Sequence, residues 1–125
     1  MEEHLKKVYG FNEFRKFQKD IISDLLKGEN VFAILPTGGG KSLLYQFPAT
    51  FTEKITVVIS PLISLMNDQS KYLNSRNINT ICLNCETVLV EGNYTDNKLI
   101  YTTPEYFTSF IEVFIRMKKH IGLFA

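Results

Sequence analysis

The spacing of apolar residues along the chain predicts an alternation of helices and strands. The first helix is indicated by five apolar residues that repeat with the helical period: Phe14, Phe17, Ile21, Leu25 and Leu26. Gly28 follows at the position where a helix is expected to end in a glycine cap. The continuous apolar run over 30–35 is typical of a buried strand, and the pattern that opens at Ser42 predicts a second helix.

The alternation continues through the middle of the chain. The segment 54–59 is rich in β-branched residues, as expected for a strand buried on both faces of a parallel sheet. Ser60 and Pro61 are suited to begin a helix, with the serine as its cap and the proline at its first position. The apolar face of this predicted helix includes Leu62, Leu65, Met66 and Tyr72.

The last part of the chain predicts two strands, a helix and the beginning of another strand. The two strands cover 80–83 and 98–102, and the segment 103–105 leads into the helix. An aromatic stripe on this helix is interpreted as core packing: Tyr106, Phe107, Phe110, Ile111, Phe114 and Met117. Residues 120–125 are interpreted as a buried strand that has just begun. The order β-α-β-α-β-x-β-α predicts an α/β fold with a mostly parallel sheet flanked by helices.

Composition places the chain among globular proteins of a single domain. Its 125 residues are 45% hydrophobic and 22% charged, and no run approaches the ~20 apolar residues of a membrane helix. The first residues carry no signal-peptide pattern, so we expect an intracellular protein, in cytoplasm or nucleus, without a membrane partner. The formal net charge of +1 excludes nucleic-acid binding through a broad basic field. Such binding would instead use helix N-termini and a few placed side chains.

Cys82 and Cys85 form a Cys-x-x-Cys pair, which is compatible with a redox pair or with half of a zinc site. A zinc site needs two further ligands, and the nitrogen donors His4 and His120 stand at opposite ends of the chain. A redox pair is expected to open a helix, whereas these cysteines end a strand-like run. We therefore interpret them as two reduced thiols.

The segment "ILPTGGGKSLLYQ", residues 34–46, carries the clearest chemistry. Three glycines without Cβ atoms, at 38–40, allow successive N–H groups to surround a polyanion at the start of the following helix. Lys41 adds a positive charge for the outer phosphates, and the hydroxyl of Ser42 is a ligand for Mg²⁺. The general P-loop pattern has a glycine where this chain has Leu35. The strand, glycines and helix nevertheless come in the required order, and the alternative is a glycine-rich turn with an incidental lysine.

Four segments together resemble the RecQ family of superfamily 2 ATP-dependent DNA helicases. They are "GFNEFRKFQ" at 10–18 (motif zero), "LPTGGGKSLLYQ" at 35–46 (Walker A), "VVISPLISLMNDQ" at 57–69 (motif Ia) and "LIYTTPEYF" at 99–107 (motif Ib). The resemblance covers essentially the whole chain, and the family itself does not keep a glycine at the position of Leu35. It implies a three-layer P-loop NTPase fold of the RecA-like class, of which residues 1–125 would form a part that ends before the Walker B motif.

The resemblance also implies a nucleotide site for ATP and Mg²⁺. Phe11, where the family usually has tyrosine, would stack on adenine, Arg15 would cover the other side of the base, and Gln18 would bond its edge. The alternative for Phe11 and Arg15 is ordinary packing at the start of a helix. The triphosphate and Mg²⁺ would be held by Leu35, Pro36, Thr37, Gly38, Gly39, Gly40, Lys41 and Ser42, with Ser42 as the metal ligand.

A DNA site is implied by the same resemblance. Ser60 and Pro61 in motif Ia, and Thr103 and Pro104 in motif Ib, would lie next to the backbone of single-stranded or partly duplex DNA. Helix N-termini hold phosphates without a field of lysines, in agreement with the net charge. For Ser60, simple helix capping is an alternative that is compatible with DNA contact. Asn67 and Gln69 are interpreted either as DNA contacts or as parts of a solvated face.

Two departures from the family pattern limit what this polypeptide is expected to do. The segment 84–97 is too short for the usual helical crossover with its loops. The chain also has no Asp-Glu-Ala-His box, whose aspartate would hold Mg²⁺ and whose glutamate would position the attacking water. We therefore expect nucleotide binding with negligible hydrolysis by this polypeptide alone.

These observations lead to one main hypothesis and two alternatives. The chain is predicted to be the ATP-binding part of a RecQ-like helicase that couples ATP hydrolysis to 3'-5' translocation on single-stranded DNA and to duplex unwinding. A separate chain carrying the rest of the motor is then a possible partner. The alternatives are a stand-alone, non-catalytic module that binds ATP or nucleic acid, and a small P-loop kinase, which would leave motifs Ia and Ib unexplained.

Overall fold

The structure is a computed structural model of the chain, and it describes residues 1–15, 17–33, 40–83 and 97–125. The helices in these residues are α1 (Glu2–Tyr9), α2 (Gln18–Leu26), α3 (Lys41–Phe51), α4 (Ile63–Ser75), α5 (Pro104–Ser109) and α6 (Ile111–Arg116). The strands are β1 (Ile55–Ile59), β2 (Thr80–Leu83), β3 (Leu99–Thr102) and β4 (Ile121–Phe124).

The four strands form one parallel sheet in the order β2-β3-β1-β4. Strands β1 and β3 lie in its centre and are buried along almost their whole length, which explains why both segments are apolar without alternation. The predicted strands at 54–59, 80–83, 98–102 and 120–125 are confirmed to within one residue at each end. The strand at 120–125 was expected to be buried, and this part of the prediction is wrong: β4 is an edge strand of the described sheet whose residues alternate between half-buried and exposed, with Phe124 53% exposed.

Helices cover both faces of the sheet, so that the molecule has three layers. Successive strand residues point to opposite faces: Val58 packs with α1 to α4, whereas Val57 packs with α5 and α6. Phe47, which is fully buried, lies in the larger cluster, and Phe114 lies in the smaller one. The predicted α/β architecture with a parallel sheet between helices is confirmed. Within the described residues, no helix is long and apolar enough to cross a bilayer.

The strand predicted over 30–35 is not found in the part of it that is described. Residues 30–33 form neither strand nor helix, and Phe32 is 90% exposed. A strand is stable when its N–H and C=O groups pair with a neighbour, and 30–33 has no ladder partner among the described residues. Residues 34 and 35 lie outside the described ranges.

The helix predicted to start at Ser60 and Pro61 begins later, at Ile63, with Leu62 as its N-cap. The Ser60 hydroxyl accepts a hydrogen bond from the Leu62 N–H at 3.2 Å, which forms a local serine turn. Residues 60–62 form this turn instead of a first helical turn, so the helix starts after them. Ser60 as helix cap is therefore a wrong prediction, although its side chain does bond the backbone.

Two predicted apolar faces are also corrected. Helix α4 buries Met66 and Leu73, while Leu62, Leu65 and Tyr72 are exposed. The aromatic helix after β3 is two short helices, because the backbone at Phe110 leaves helical geometry. Its stripe still packs mainly as core, with three buried members: Tyr106, Phe114 and Met117.

The packing of α1 on α3 gives the fold a dependence on pH. His4 Nε2 lies 3.0 Å from Thr50 Oγ1, and its ring meets the rings of Phe47 and Phe51 edge-on. Burial lowers the pKa of His4 from its ordinary 6.5, so the folded chain holds this proton more weakly than the unfolded chain does. The contribution of this packing to the free energy of unfolding is therefore fully present above pH 6.5. It is lost as the pH falls through the folded-state pKa of His4.

We expect urea unfolding midpoints to drop between pH 7.5 and pH 5.5 more steeply for the wild type than for His4→Gln. The glutamine keeps a polar side chain beside Thr50 but has no proton to gain in this range. Equal pH dependence of the two proteins would contradict the role assigned to His4.

Candidate nucleotide and DNA sites

The predicted phosphate site lies at the start of α3, which begins at Lys41 and follows Gly40 as its N-cap. Gly40 has a left-handed backbone with φ of 76°, a conformation that glycine adopts without the strain of a Cβ atom. Ser42 is half-buried in the first turn of this helix. Of the remaining loop residues, Leu35, Pro36, Thr37, Gly38 and Gly39 lie outside the described residues.

Gln18 connects this loop to the segment that precedes α2. The side chain is 4% exposed, its Oε1 accepts a hydrogen bond from the Arg15 N–H at 2.8 Å, and its Nε2 donates to the Gly40 carbonyl at 3.1 Å. A Cβ atom added at Gly40 would lie 2.5 Å from Gln18 Nε2. The tight approach, together with the left-handed φ, explains why glycine stands at this position.

A cleft of about 490 Å³ opens beside these residues. It is lined by Tyr9, Phe11, Glu13, Arg15, Gln18, Gly40, Ser42, Leu43, Gln46, Asp68, Gln69 and Tyr72. Phe11 is 55% exposed, so its ring is accessible as a stacking surface and is not taken up by core packing. The cleft has the volume of a small-molecule site, and it combines an aromatic ring, an arginine and a helix N-terminus. These residues fit an adenine nucleotide with its Mg²⁺, for which Ser42 offers the hydroxyl oxygen.

The structure brings most of the described predicted nucleotide residues to this cleft, with one exception. Lys41 lines a neighbouring cleft of about 230 Å³ together with Val31, Ala33 and the end of β4. Lys41 is exposed at the first position of α3. Its assignment to the outer phosphates remains a prediction.

The predicted DNA residues meet at one edge of the sheet. Ile59 and Thr102, the last residues of β1 and β3, are partners in the parallel register, and the Ser60 N–H donates to the Thr102 carbonyl at 2.9 Å. Pro61 and Pro104 are exposed on this edge. Thr103 is buried, and its hydroxyl accepts a hydrogen bond from the Tyr106 N–H at 3.1 Å as the cap of α5. Any contribution of Thr103 to DNA binding would therefore come from its backbone.

Sequence reasoning did not assign to the nucleotide site several cleft residues from three helices: Tyr9 of α1, Leu43 and Gln46 of α3, and Asp68, Gln69 and Tyr72 of α4. Of these, Asp68, Gln69 and Tyr72 are spaced as neighbours on one side of a helix, a signal that becomes informative only once the packing of α4 is known. Gln69 is half-buried, and its Oε1 accepts hydrogen bonds from the hydroxyls of Tyr45 and Tyr101, so it is not part of a solvated face. Asn67 is exposed.

The Cys-x-x-Cys pair is described in part. The Cys82 thiol is half-buried and donates to the Met66 carbonyl at 3.5 Å, and burial raises its pKa. Cys85 lies outside the described residues. In the described part of the chain, no three or more His, Cys, Asp or Glu side chains are grouped as a metal site would require.

Comparison with known proteins identifies the family. Residues 15–124 match the family model described as DEAD/DEAH box helicase. The chain is 38% identical to the ATP-dependent helicase wrn-1 of Caenorhabditis elegans over 97% of its own length and 12% of that protein. It is 42% identical to the ATP-dependent DNA helicase RecQ of Haemophilus influenzae over 81% of its own length and 17% of that protein. The chain thus spans less than a fifth of the length of these two relatives.

A solved structure supports the fold. The crystal structure of a hypothetical ATP-dependent RNA helicase from Sulfolobus tokodaii superimposes with a TM-score of 0.68, covering 99% of this chain and 49% of that one, at 14% identity. At that identity the likeness concerns the fold alone, and it agrees with the RecA-like class expected from the motifs. The RecQ resemblance is confirmed by the relatives, and the chain belongs to the DEAD/DEAH box helicase family.

Proposed function

We propose that the chain binds ATP with Mg²⁺ in the cleft between α2, α3 and α4. The observation that carries the proposal is the left-handed Gly40, held by Gln18 at the start of α3, in the same cleft as the exposed ring of Phe11. Phe11 and Arg15 would sandwich adenine, and backbone N–H groups at the start of α3 would bind the phosphates. Ser42 would hold the Mg²⁺ that accompanies the nucleotide, and this ion would supply positive charge that offsets the charge of the triphosphate.

The amide of Gln18 gives the proposal a further detail. Both polar ends of this amide already bond within the chain, to Arg15 and to Gly40. If Gln18 contacts the adenine edge, it does so with the remaining lone pair of Oε1 and the second N–H of Nε2. One side chain would then touch the base and the phosphate loop together.

We further propose that the ends of β1 and β3 bind the backbone of single-stranded DNA, and that the chain contributes to ATP-driven 3'-5' translocation and unwinding. The proposal is supported by the neighbouring positions of Ser60, Pro61 and Pro104 at one sheet edge. It is also supported by relatives named as DNA helicases. Action on DNA implies an intracellular location, and the complete reaction would need a second motor domain, on this or another chain.

Hydrolysis is not proposed for the 125 residues alone. Their sequence contains no Asp-Glu-Ala-His tetrapeptide, and among the described residues the acidic groups at the cleft are Glu13 and Asp68. Phosphoryl transfer depends on positioned water and on charge stabilisation at the γ-phosphate, which the family supplies from that box and from a second domain. The 125-residue polypeptide should therefore bind the nucleotide and turn it over negligibly.

Isothermal calorimetry with ATP tests the proposal directly. We expect saturable binding of ATP in the presence of Mg²⁺ and weaker binding with EDTA. EDTA removes the cation that offsets the negative charge of the triphosphate and that Ser42 would help to hold. Adenosine 5′-triphosphate should bind more tightly than guanosine 5′-triphosphate, since in the proposed complex the purine edge would face Gln18. Absence of binding heat from protein that melts cooperatively would refute the nucleotide site.

A further inference from the structure

We propose that Gln69 is a positioning residue that couples the nucleotide-binding helix α3 to the DNA-facing ends of β1 and β3. Its Oε1 atom accepts the hydroxyl of Tyr45 at 2.6 Å and the hydroxyl of Tyr101 at 2.7 Å. A single oxygen thus links three elements of the domain. The inference rests on the proposed binding of nucleotide and DNA and adds to it the route between the two ligands.

The three side chains come from the elements that carry the two sites. Tyr45 lies on α3 one turn after Lys41, on the helix that starts at the phosphate loop. Gln69 lies on α4, the helix that follows Ser60 and Pro61. Tyr101 lies on β3, immediately before Thr102 and the capping residue Thr103. The rings of Tyr45 and Tyr101 also meet edge-on, with centroids 6.3 Å apart.

Gln69 also stands between two cavities. On one side it lines the 490 Å³ cleft that contains Gly40 and Ser42. On the other side it lines a cavity of about 210 Å³ that is bounded by Ser60 and Ala125. A change in the position of this side chain would therefore alter the nucleotide cleft and the edge that carries Ser60 at the same time.

The chemistry of the oxygen makes the link sensitive to movement. An amide oxygen has two lone pairs, and here both face tyrosine hydroxyls. Tyr101 is 1% exposed, so the loss of its hydrogen bond to Gln69 is a loss inside the core and is unfavourable. Burial raises the pKa of both Tyr45 and Tyr101, so both keep the proton that they donate. A nucleotide that shifts α3 through its phosphate contacts would pull Tyr45 against Gln69 and displace α4 or β3.

The test measures whether one ligand changes the affinity for the other. Fluorescence anisotropy gives the affinity of the 125-residue protein for a labelled single-stranded oligothymidylate, with and without a saturating, non-hydrolysable Mg²⁺-ATP analogue. For the wild type we expect the two affinities to differ at least about fivefold, the lower range of energetic coupling between sites. For Gln69→Leu, which has no acceptor, we expect the ratio of the two DNA affinities to fall below about twofold, measured at a nucleotide concentration that saturates the variant.

Matched variants separate positioning from folding. Gln69→Glu keeps an oxygen that accepts two hydroxyls, so it should retain the wild-type ratio of DNA affinities. Tyr45→Phe and Tyr101→Phe each remove one hydrogen bond to Gln69 and should reduce this ratio. Tyr106→Phe removes a buried hydroxyl in the cluster on the other face of the sheet and should leave the ratio unchanged. If Gln69→Leu does not fold, the two phenylalanine variants decide in its place.

The outcomes are distinguishable from a failure of the proposed function. The role of Gln69 would be refuted if the wild type bound both ligands without coupling. It would also be refuted if Gln69→Leu and the two phenylalanine variants kept the wild-type affinity ratio. Neither result would contradict the two proposed binding sites. A folded wild type that binds neither ligand would refute the proposed function, and the inference with it.

Discussion

Replacing Lys41 with alanine should weaken Mg²⁺-ATP binding by at least about tenfold while leaving the fold intact. A charge-assisted contact to phosphate contributes about 1.5–3 kcal/mol, which corresponds to a loss of roughly ten- to hundredfold in affinity. Lys41 is exposed and lies at the first position of α3, where the helix dipole disfavours a positive charge. Its removal should therefore raise the stability of the nucleotide-free protein by about 0.3–1 kcal/mol.

The prediction for Lys41→Ala is specific because it combines a loss of nucleotide affinity with a gain in stability. Calorimetry measures the affinity and thermal unfolding measures the stability of the same variant. Lys6→Ala, at an exposed position in the last turn of α1, removes the same charge away from the cleft and should change neither affinity nor fold. Wild-type nucleotide affinity in Lys41→Ala would show that the lysine lies outside the phosphate site, in the neighbouring cleft where the structure has it.

Replacing Gly40 with alanine should destabilise the protein by about 2–3 kcal/mol and reduce nucleotide binding. Part of the loss, about 1–2 kcal/mol, comes from placing a Cβ atom on a left-handed backbone. The rest, about 1 kcal/mol, comes from Gln18, whose amide would lie 2.5 Å from the new atom and must give up its bond to the Gly40 carbonyl.

Gly28 provides the matched control, because it has the same left-handed backbone with φ of 84° and open space around its Cβ position. Gly28→Ala should show the backbone cost alone, measured as the free energy of unfolding in urea. In a Gln18→Ala background the contact is absent, so Gly40→Ala should there cost no more than Gly28→Ala does. Equal losses for the two glycine variants in the wild-type background would mean that Gln18 moves away without cost.

Much of the fold was predictable because the strands of a buried parallel sheet are recognisable in the sequence as apolar segments. The strands around Val57 and Ile100 are apolar along their length, since helices cover both of their faces. The glycine that ends α2 was also predictable, because few residues besides glycine adopt the left-handed backbone seen at Gly28, directly after the C-cap Lys27.

The errors occurred where two local solutions compete. Ser60 followed by Pro61 is compatible with a helix start and with a serine turn, and the turn is what forms. Residues 30–33 are apolar enough for a strand, but apolarity does not supply the hydrogen-bonding neighbour that a strand needs. Neither choice can be made from the residues in isolation.

The sequence by itself determined the chemistry of the candidate site: glycines, a lysine and a serine at a helix start, an aromatic residue upstream, and two Pro-containing segments after buried strands. Only the tertiary structure decided which groups meet. Gln18 reaches Gly40 across 22 residues, and Gln69 meets Tyr45 and Tyr101 across 24 and 32 residues. Such contacts arise from the packing of helices on a sheet, whereas the pattern along the chain records only whether a position is buried and which backbone it adopts.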